Sequence, residues 1–303
     1  MWQSQKRFTR KTMCAARIVS LSILNGFLST FGSVMNFTVA FVIFKNKDLR
    51  KGLNLLILSL SLADLLTNVL AQPMYIYLLV NEKEKNLKAL NKVFQFFAFL
   101  SLHASTNNLA AITLYRLRAL ARLFRHIILI TRKQAWIVIV IVWMLAGIMA
   151  FVFDMEPGKS AAPFLHLAVI LAWIGSYVGI FWLVRKHKRR IMSKEGIPSS
   201  PFMMANLKYE SEAAKTSAIL VGTSLICFFP DVVFELLGKA DEVRLLWCYT
   251  LLFTGAVINP CVFVCRSQQF RAAFRKTFQC LWIRRRNTIS LSRISSKVCS
   301  NYI

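Results

Sequence analysis

The chain has 303 residues, of which 56% are hydrophobic and 17% are charged. Lys and Arg outnumber Asp and Glu by 39 to 13, which gives a net charge of +26. A basic soluble protein would suggest nucleic acid as the partner, but here the basic residues occupy short gaps between long apolar runs. This pattern excludes an ordinary nucleic-acid-binding domain and indicates a membrane protein whose loops meet anionic lipid.

Seven apolar stretches are each long enough to cross a bilayer as a helix, which requires about 20 residues. The third and sixth carry more polar residues, so a strict hydropathy threshold is expected to miss both. Because the gaps are short and backbone groups in lipid must be satisfied within helices, we predict an all-α membrane protein, a seven-transmembrane helix bundle. The stretches cover about residues 18–44, 54–80, 93–121, 135–153, 164–184, 214–237 and 245–265.

The distribution of basic residues predicts the orientation of this bundle. They concentrate in the first, third and fifth gaps and after the seventh stretch, which places those segments in the cytoplasm. Residues 1–17 are then a short extracellular N-terminus without signal-peptide features, although their own basic residues oppose this orientation. Residues 266–303 are predicted to form a short amphipathic cytoplasmic eighth helix and a basic tail.

Asp64 lies deep in the second stretch, where an ionisable side chain is costly. Two interpretations are open: a protonated carboxyl that holds helices together, or a site for a cation or proton. In the third stretch, Ser101, Ser105, Leu109, Ile112 and Arg116 recur at spacings of three or four. They therefore share one helical face, which is too polar to contact lipid and must point into the bundle.

Two prolines are expected to bend helices. Pro260, which follows Asn259 in the seventh stretch, removes a backbone donor and frees a carbonyl that Asn259 or water is predicted to satisfy. Pro230 in the sixth stretch is a second expected kink. Kinked helices with internal polar groups can adopt two packings of similar energy, which suits a switch.

These motifs together resemble the rhodopsin-like (class A) family of G-protein-coupled receptors. No single motif match is specific to this family. Seven matches that occur in the family's order, each in its own stretch, are specific. The resemblance implies a receptor that transmits an extracellular ligand signal to a heterotrimeric G protein at the plasma membrane. The matching positions are Asn36 and Val39, Asp64 within LSLAD, Ser105 with Leu109, Ile112 and Thr113, Trp143, Tyr177 and Ile180, Cys227 to Pro230, Asn259 to Phe263, and FRAAFRKTF from Phe270.

The resemblance implies that Arg116 is the switch arginine of the family's Asp-Arg-Tyr motif. Tyr115 replaces the preceding acid, so Arg116 is expected to depend on Glu210, or on its neighbour Glu212, as an inactive-state partner. We predict a weak inactive state and basal signalling. The alternative is that Arg116 only extends to the lipid surface. Tyr177, Asn259, Pro260 and Phe263 complete the implied coupling machinery.

The resemblance also implies an internal sodium site at Asp64, Ser101, Ser105 and Asn259, because Na⁺ prefers oxygen ligands. A hydrogen-bonded water network is the competing interpretation. The predicted ligand pocket lies in the outer half of the bundle. It consists of Gln72, His103, His166, Phe228, Asp231 and Glu235.

Several departures narrow the ligand and subfamily. Position 91 is Asn91 and the second outer loop contains no cysteine, so the family's usual disulfide is missing; a bridge between Cys14 and Cys248 is left open. The missing disulfide, together with Val169 in place of the proline that is usual in the fifth span, is similar to the pattern of the melanocortin-type branch of the family. Ala98 occupies the position at which amine receptors of the family carry an acidic residue. Its apolar side chain therefore disfavours a monoamine as the ligand.

The sequence also suggests a lipidation site and leaves two alternative functions open. Cys280 follows the eighth-helix motif as a candidate lipidation site. Alternatives are a receptor-like protein with lost or atypical coupling, and, less favoured because no internal repeat is visible, a transporter. No nucleophile–base cluster or phosphate loop indicates an enzyme.

Overall fold

The structure is a computed structural model, and nearly all of what it describes is helical. The described residues are 2–50, 52–81, 87–121, 131–152, 156–192, 201–237 and 242–279. Within them, seven long helices overlap the seven predicted stretches one for one, and an eighth, shorter helix follows. Their bounds are α1 Trp2–Lys45, α2 Leu53–Val80, α3 Lys88–Ala121, α4 Arg132–Val152, α5 Glu156–Met192, α6 Pro201–Leu236, α7 Glu242–Arg266 and α8 268–279.

Helix α1 is longer than predicted. It begins at Trp2, so the described part of the segment predicted as a short extracellular N-terminus is continuous with the first span. Residues 15–45 of this helix are long and apolar enough to cross a membrane. The predicted short eighth helix is present at 268–279.

A helix with many polar side chains, α3, lies at the centre of the bundle. Among the seven long helices that the structure describes, six are apolar enough to cross a membrane, and α3 is the one that falls below this criterion. The prediction that a threshold would miss the third stretch is confirmed, whereas the same prediction for the sixth is wrong, since Ser211–Phe234 qualifies. Helix α3 packs against α2, α4, α5 and α6. Its polar side chains therefore face protein and need not meet lipid.

Polar contacts between helices fix the packing. The Trp143 indole donates to Ser59 Oγ at 3.0 Å, which joins α4 to α2. Asn36 Nδ2 donates to the Ala256 carbonyl at 2.9 Å, which joins α1 to α7. That carbonyl is four residues before Pro260 and has no helical donor because proline lacks an N–H. The side chain that bonds this carbonyl is Asn36, and not Asn259 as the sequence suggested.

Helix α8 packs on the inner end of the bundle, defined here as the end that holds Arg116. Phe270 is almost fully buried and its ring lies 5.1 Å from that of Phe263 on α7. Asn46, which follows α1, donates to Thr277 Oγ1 at 2.9 Å. The eighth helix is thus anchored both to α7 and to the end of α1.

Helices α1 and α2 approach most closely at Gly32. Residues Thr67–Ala71 of α2 form a π-helical turn, which places the fully buried Asn68 against α1. A Cβ atom on Gly32 would lie 2.5 Å from Asn68 Nδ2. A larger residue at this position would therefore have to displace the Asn68 side chain or move the two helices apart.

Gly32→Ala is expected to destabilise the protein by about 1–3 kcal/mol, because a methyl group in this contact must displace Asn68 or separate the helices. The measurement is the apparent melting temperature in detergent. Gly26→Ala, on the same helix, is the matched control, since a Cβ there meets nothing within 4 Å. Equal melting temperatures for the two variants would contradict the close contact.

Candidate functional site

A buried carboxyl joins three helices at the centre of the bundle. Asp64 on α2 has no exposed surface. Ser105 Oγ on α3 donates to Asp64 Oδ1 at 2.8 Å, and Asn259 Nδ2 on α7 donates to Asp64 Oδ2 at 3.0 Å. Asn259 Nδ2 also lies 3.4 Å from Ser105 Oγ. The structure thus brings together three of the four residues predicted to bind sodium, and we call them the Asp64 cluster.

The fourth predicted ligand uses its hydroxyl differently. Ser101 is fully buried one turn from Ser105, and its Oγ donates to the Ala98 carbonyl of the same helix at 3.1 Å. Its hydrogen bond therefore stays within α3, whereas that of Ser105 crosses to α2.

Small spaces and unused acceptors surround the Asp64 cluster. Two cavities of about 10 Å³ adjoin Asp64, and each has room for roughly one water molecule. Within the described residues, the buried Oδ1 atoms of Asn36 and Asn259 have no hydrogen-bond partner. Buried acceptors without donors are costly, so these positions suit a water molecule or a small cation.

At the inner end, a tyrosine connects α5 to α3. The Tyr177 hydroxyl lies 3.2 Å from Thr113 Oγ1, one turn before Arg116. Tyr177 is also within electrostatic range of Arg116 and within hydrogen-bonding reach of Ser217 on α6. The half-buried Tyr115 packs against the main hydrophobic core. The predicted switch residues on α3 and α5 are therefore neighbours.

Glu210 and Glu212 are the two acids that the sequence suggests as partners of Arg116. The side chain of Glu210 is outside the described residues, so its pairing with Arg116 stays a prediction. Glu212 binds Lys215 at 2.7 Å and Arg266 at 3.2 Å, using one carboxylate oxygen for each. Its contact with Arg266 joins α6 to α7 on an exposed surface, where such pairs contribute about 0–1 kcal/mol.

A larger cavity of about 30 Å³ lies between α3, α4, α5 and α6 toward the outer end. His103, His166 and Phe228, three of the six predicted pocket residues, line it. The two imidazole rings face each other with centroids 5.6 Å apart. The other lining residues are Thr106, Asn107, Met149, Leu165, Val169, Ile170, Trp173 and Val232.

The remaining predicted pocket residues are not in this lining. Gln72 is fully buried and donates to Asn25 Oδ1 at 3.3 Å, and Asn25 donates to Thr250 at 2.9 Å. It therefore belongs to a polar contact between α1, α2 and α7. Asp231 is half-buried next to the lining residue Val232. The side chains of Glu235, Cys14 and Cys280 are outside the described residues.

Sequence reasoning missed several residues of both sites. Trp173 lines the outer cavity, and its position seven residues after His166 puts it on the same face of α5, a periodicity that could have identified it. Asn107 follows His103 by four residues in the same way. Asn25 carried no comparable signal, because its partners lie on distant helices. Asn36 was identified through the first-span motif, but its partner on α7 was not.

The chain is similar to several known receptors. A family model described as 7 transmembrane receptor (rhodopsin family) matches residues 35–162. Melanocortin receptor 4 of Danio rerio is 28% identical over 268 residues, covering 82% of this chain and 80% of that protein. Melanocortin receptor 5 of Homo sapiens is 23% identical, with coverages of 84% and 82%. Cannabinoid receptor 1 of Taricha granulosa is 24% identical, with coverages of 86% and 63%.

A solved structure supports the fold. The chain is similar to the crystal structure of squid rhodopsin with a TM-score of 0.77, covering 88% of this chain and 87% of that one. The two sequences are 19% identical, so this likeness concerns the fold alone.

Ser105→Ala is expected to destabilise the protein by about 1–3 kcal/mol, because it removes a donor from a fully buried carboxyl. Ser101→Ala is the matched control and should cost less, since its hydroxyl bonds only within its own helix. Apparent melting temperatures of both variants in detergent measure the difference. A larger loss in Ser101→Ala would mean that the Asp64 cluster is wrongly assigned.

Proposed function

We propose that this chain, a rhodopsin-like (class A) G-protein-coupled receptor with melanocortin receptors among its relatives, transmits the binding of an extracellular ligand to a heterotrimeric G protein. The observation that supports this proposal most directly is the path of α3. This helix lines the outer cavity at His103, bonds to Asp64 through Ser105 and reaches Tyr177 at Thr113. One continuous element therefore contacts the proposed ligand site, the buried core and the proposed coupling surface.

The dimensions suit this role. His103 and Arg116 are separated by 13 positions, or about 20 Å at 1.5 Å per residue. Coupling over such distances is carried by packed side chains and rigid helices that have two arrangements. Pro230 in α6 and Pro260 in α7 supply points at which these helices can bend.

The outer cavity limits the chemistry of the ligand. Its lining is mostly apolar, yet the buried Trp173 Nε1 and Asn107 Nδ2 have no hydrogen-bond partner within the described residues. Both atoms are donors, so a ligand with an apolar body and hydrogen-bond acceptors suits the site. Because melanocortin receptors are among the relatives, melanocortin peptides are the first ligands to test.

Arg116 is proposed as the switch residue. It is half-buried on α3, next to Tyr177, which favours a working role over simple extension to the lipid surface. Tyr115 in place of an adjacent acid removes one partner that would hold Arg116 in the inactive state. A weakly held arginine shifts the equilibrium toward the active form, which is the basis for proposing basal signalling.

The plasma membrane is the proposed location, with the inner end in the cytoplasm. The helices identify a multi-pass membrane protein. At the inner end of α5, Lys186 Nζ lies 4.4 Å from the Trp182 ring centroid and the Arg185 guanidinium 5.1 Å from that of Phe181. Aromatic rings with cations beside them are typical of the membrane interface, and basic residues favour its cytoplasmic side.

A sodium ion at the Asp64 cluster is proposed on the donor set. A carboxylate, a hydroxyl and Asn259 Oδ1, for which the described part of the chain offers no hydrogen-bond partner, lie together beside cavities of water size. These are the hard oxygen ligands that a small cation prefers. The alternative is water at the same positions, because Ser105 and Asn259 already donate to both carboxylate oxygens.

Basal signalling is tested with Arg116→Ala and Tyr115→Asp in a cell assay of G-protein activation across several Gα subtypes. We expect wild type to exceed empty vector and Arg116→Ala to abolish the excess. Tyr115→Asp should lower it about fivefold, since one added interaction of about 1 kcal/mol shifts a two-state equilibrium by that factor. Arg118→Ala changes an exposed arginine on the same helix and is the matched control.

Two outcomes would contradict this proposal. Wild-type signalling at the level of empty vector, both alone and with melanocortin peptides, would favour the alternative of a receptor-like protein without coupling. Three departures from the family's motifs favour that alternative: Tyr115 stands in place of an acid, Phe228 in place of a tryptophan and Phe263 in place of a tyrosine. Equal signalling by Arg116→Ala and Arg118→Ala would remove Arg116 from the switch.

Sodium binding is tested by thermal unfolding of purified protein in NaCl and in choline chloride at equal ionic strength. A bound ion should stabilise the protein by about 1–3 kcal/mol when its concentration is 10 to 100 times Kd. The gain should disappear in Asp64→Asn, which keeps the shape but removes the charge. Identical melting in the two salts would favour water.

A further inference from the structure

Basic residues from three segments meet where α1 ends, at the inner end of the bundle. The candidate membrane span of α1 ends at the exposed Lys45, and the exposed Lys47 begins the short 3₁₀ turn that follows. Asn46 lies between these two lysines and donates to Thr277 Oγ1 on α8 at 2.9 Å. The exposed Lys276 directly precedes Thr277. This hydrogen bond therefore holds lysines of α1, the turn and α8 at one corner of the bundle.

An arginine at the same corner lies over an aromatic ring that faces the bilayer. Phe44, one position before the end of the span, is 65% exposed. The Arg50 guanidinium lies 5.5 Å from the centroid of this ring, which is a cation–π distance. Arg50 Nε is buried and has no hydrogen-bond partner within the described residues. No carboxylate in the described part of the chain forms an ion pair with this guanidinium.

The positive charge of this corner is not balanced by acids. Asp48 is the one acid in the turn, and residues 268–279 of α8 contain none. Against this single negative charge are the four positive charges of Lys45, Lys47, Arg50 and Lys276, an excess of three. Other loops of the protein are also basic, but here the hydrogen bond between α8 and the end of α1 fixes the cations relative to one another. We call these four residues the α1–α8 corner.

We propose that the α1–α8 corner binds the headgroup of a phospholipid that carries phosphomonoester groups, such as a phosphatidylinositol bisphosphate. A phosphomonoester carries about −1.5 to −2 charges, so two of them match the excess of three positive charges, whereas a singly charged headgroup does not. Ammonium groups bind phosphate as point charges and a guanidinium binds it through paired N–H donors. The corner supplies both kinds of donor, and the proposal makes no use of G-protein coupling.

The surrounding apolar surface identifies a lipid, and not a soluble phosphate, as the ligand. Phe44 on α1 and Phe278 on α8 are both exposed, at 65% and 42%. The buried Phe270 holds the opposite face of α8 against the bundle. The candidate spans of α1 and α7 end at Lys45 and Arg266, so α8, which follows Arg266, lies at the depth of the headgroups. The acyl chains of a bound lipid would then lie along the exposed rings.

The test uses the full chain in nanodiscs of phosphatidylcholine, to which phosphatidylinositol bisphosphate or phosphatidylserine is added. Native mass spectrometry counts the lipids that each chain retains as the added lipid is titrated. We expect one phosphatidylinositol bisphosphate per chain, bound at least about tenfold more tightly than phosphatidylserine. Each unit of charge matched at a membrane surface contributes roughly a factor of five to binding, and this lipid matches at least two more.

A pair of double variants tests the position of the site. Lys47→Gln/Lys276→Gln removes one cation from the turn and one from α8 and should weaken binding about tenfold or more, by the same factor for each charge. Arg132→Gln/Lys133→Gln is the matched control, because it removes two exposed cations at the inner end of α4. Binding should be unchanged in this control.

Two single variants test the charge balance and the lipid contact. Asp48→Asn removes the one acid of the turn and should tighten binding about fivefold, an increase that a folding defect does not produce. Phe44→Ala removes the ring beneath Arg50 and should weaken retention of the lipid. Its matched control is Phe37→Ala, which changes a ring that is 61% exposed on the same helix and should have no effect.

Three results would overturn the proposal. Equal retention of phosphatidylinositol bisphosphate and phosphatidylserine would show that no site for phosphomonoesters exists. An equal loss in the two double variants would show that the lipid responds only to the total charge of the inner surface. Unchanged binding in Asp48→Asn would remove the turn from the site. Because no G protein or extracellular ligand is present, these outcomes are independent of the proposed signalling function.

Discussion

The buried Asp64 carboxyl is the constraint on which the arrangement of the bundle depends. A carboxyl removed from water is costly unless both oxygens receive hydrogen bonds. Ser105 and Asn259 supply one each, which fixes α3 and α7 against α2. Asn259 precedes Pro260, and the carbonyl that this proline leaves without a donor is bonded by Asn36 of α1. The hydrogen bonds to Asp64, and the bond from Asn36 to the carbonyl that Pro260 leaves without a donor, thus determine how α1, α2, α3 and α7 meet.

The order of the helices and the inward face of α3 could be predicted from sequence, because both depend on local periodicity. The spacing of Ser105 and Ile112 correctly placed them inside the bundle, since both are buried or half-buried. Hydropathy alone would have failed for α3, whose polar residues face four other helices. Its recognition required the reasoning that polar side chains at helical spacing are compatible with a helix surrounded by protein.

Contacts between distant helices could not be predicted in this way. The sequence identified the orphan carbonyl before Pro260, but its partner Asn36 is 220 residues earlier in the chain. Gln72 was assigned to the ligand pocket because it is polar and lies in the outer half, yet its side chain bonds to Asn25. Which face of a helix is buried is a local property, whereas the neighbour that it meets depends on the rotation and tilt of both helices. The outer site was therefore predicted only in part.

The exposed pair between Glu212 and Arg266 has a practical consequence for measurements on this protein. It connects α6 to α7 at the inner end, and both side chains contact solvent. Electrostatic attraction in water is screened over a Debye length of about 8 Å at physiological ionic strength and about 30 Å at 0.01 M. The hold of α7 on α6 will therefore tighten in dilute buffers and loosen in concentrated ones. Measurements of how α6 and α7 are arranged that are made at different salt concentrations are accordingly not directly comparable.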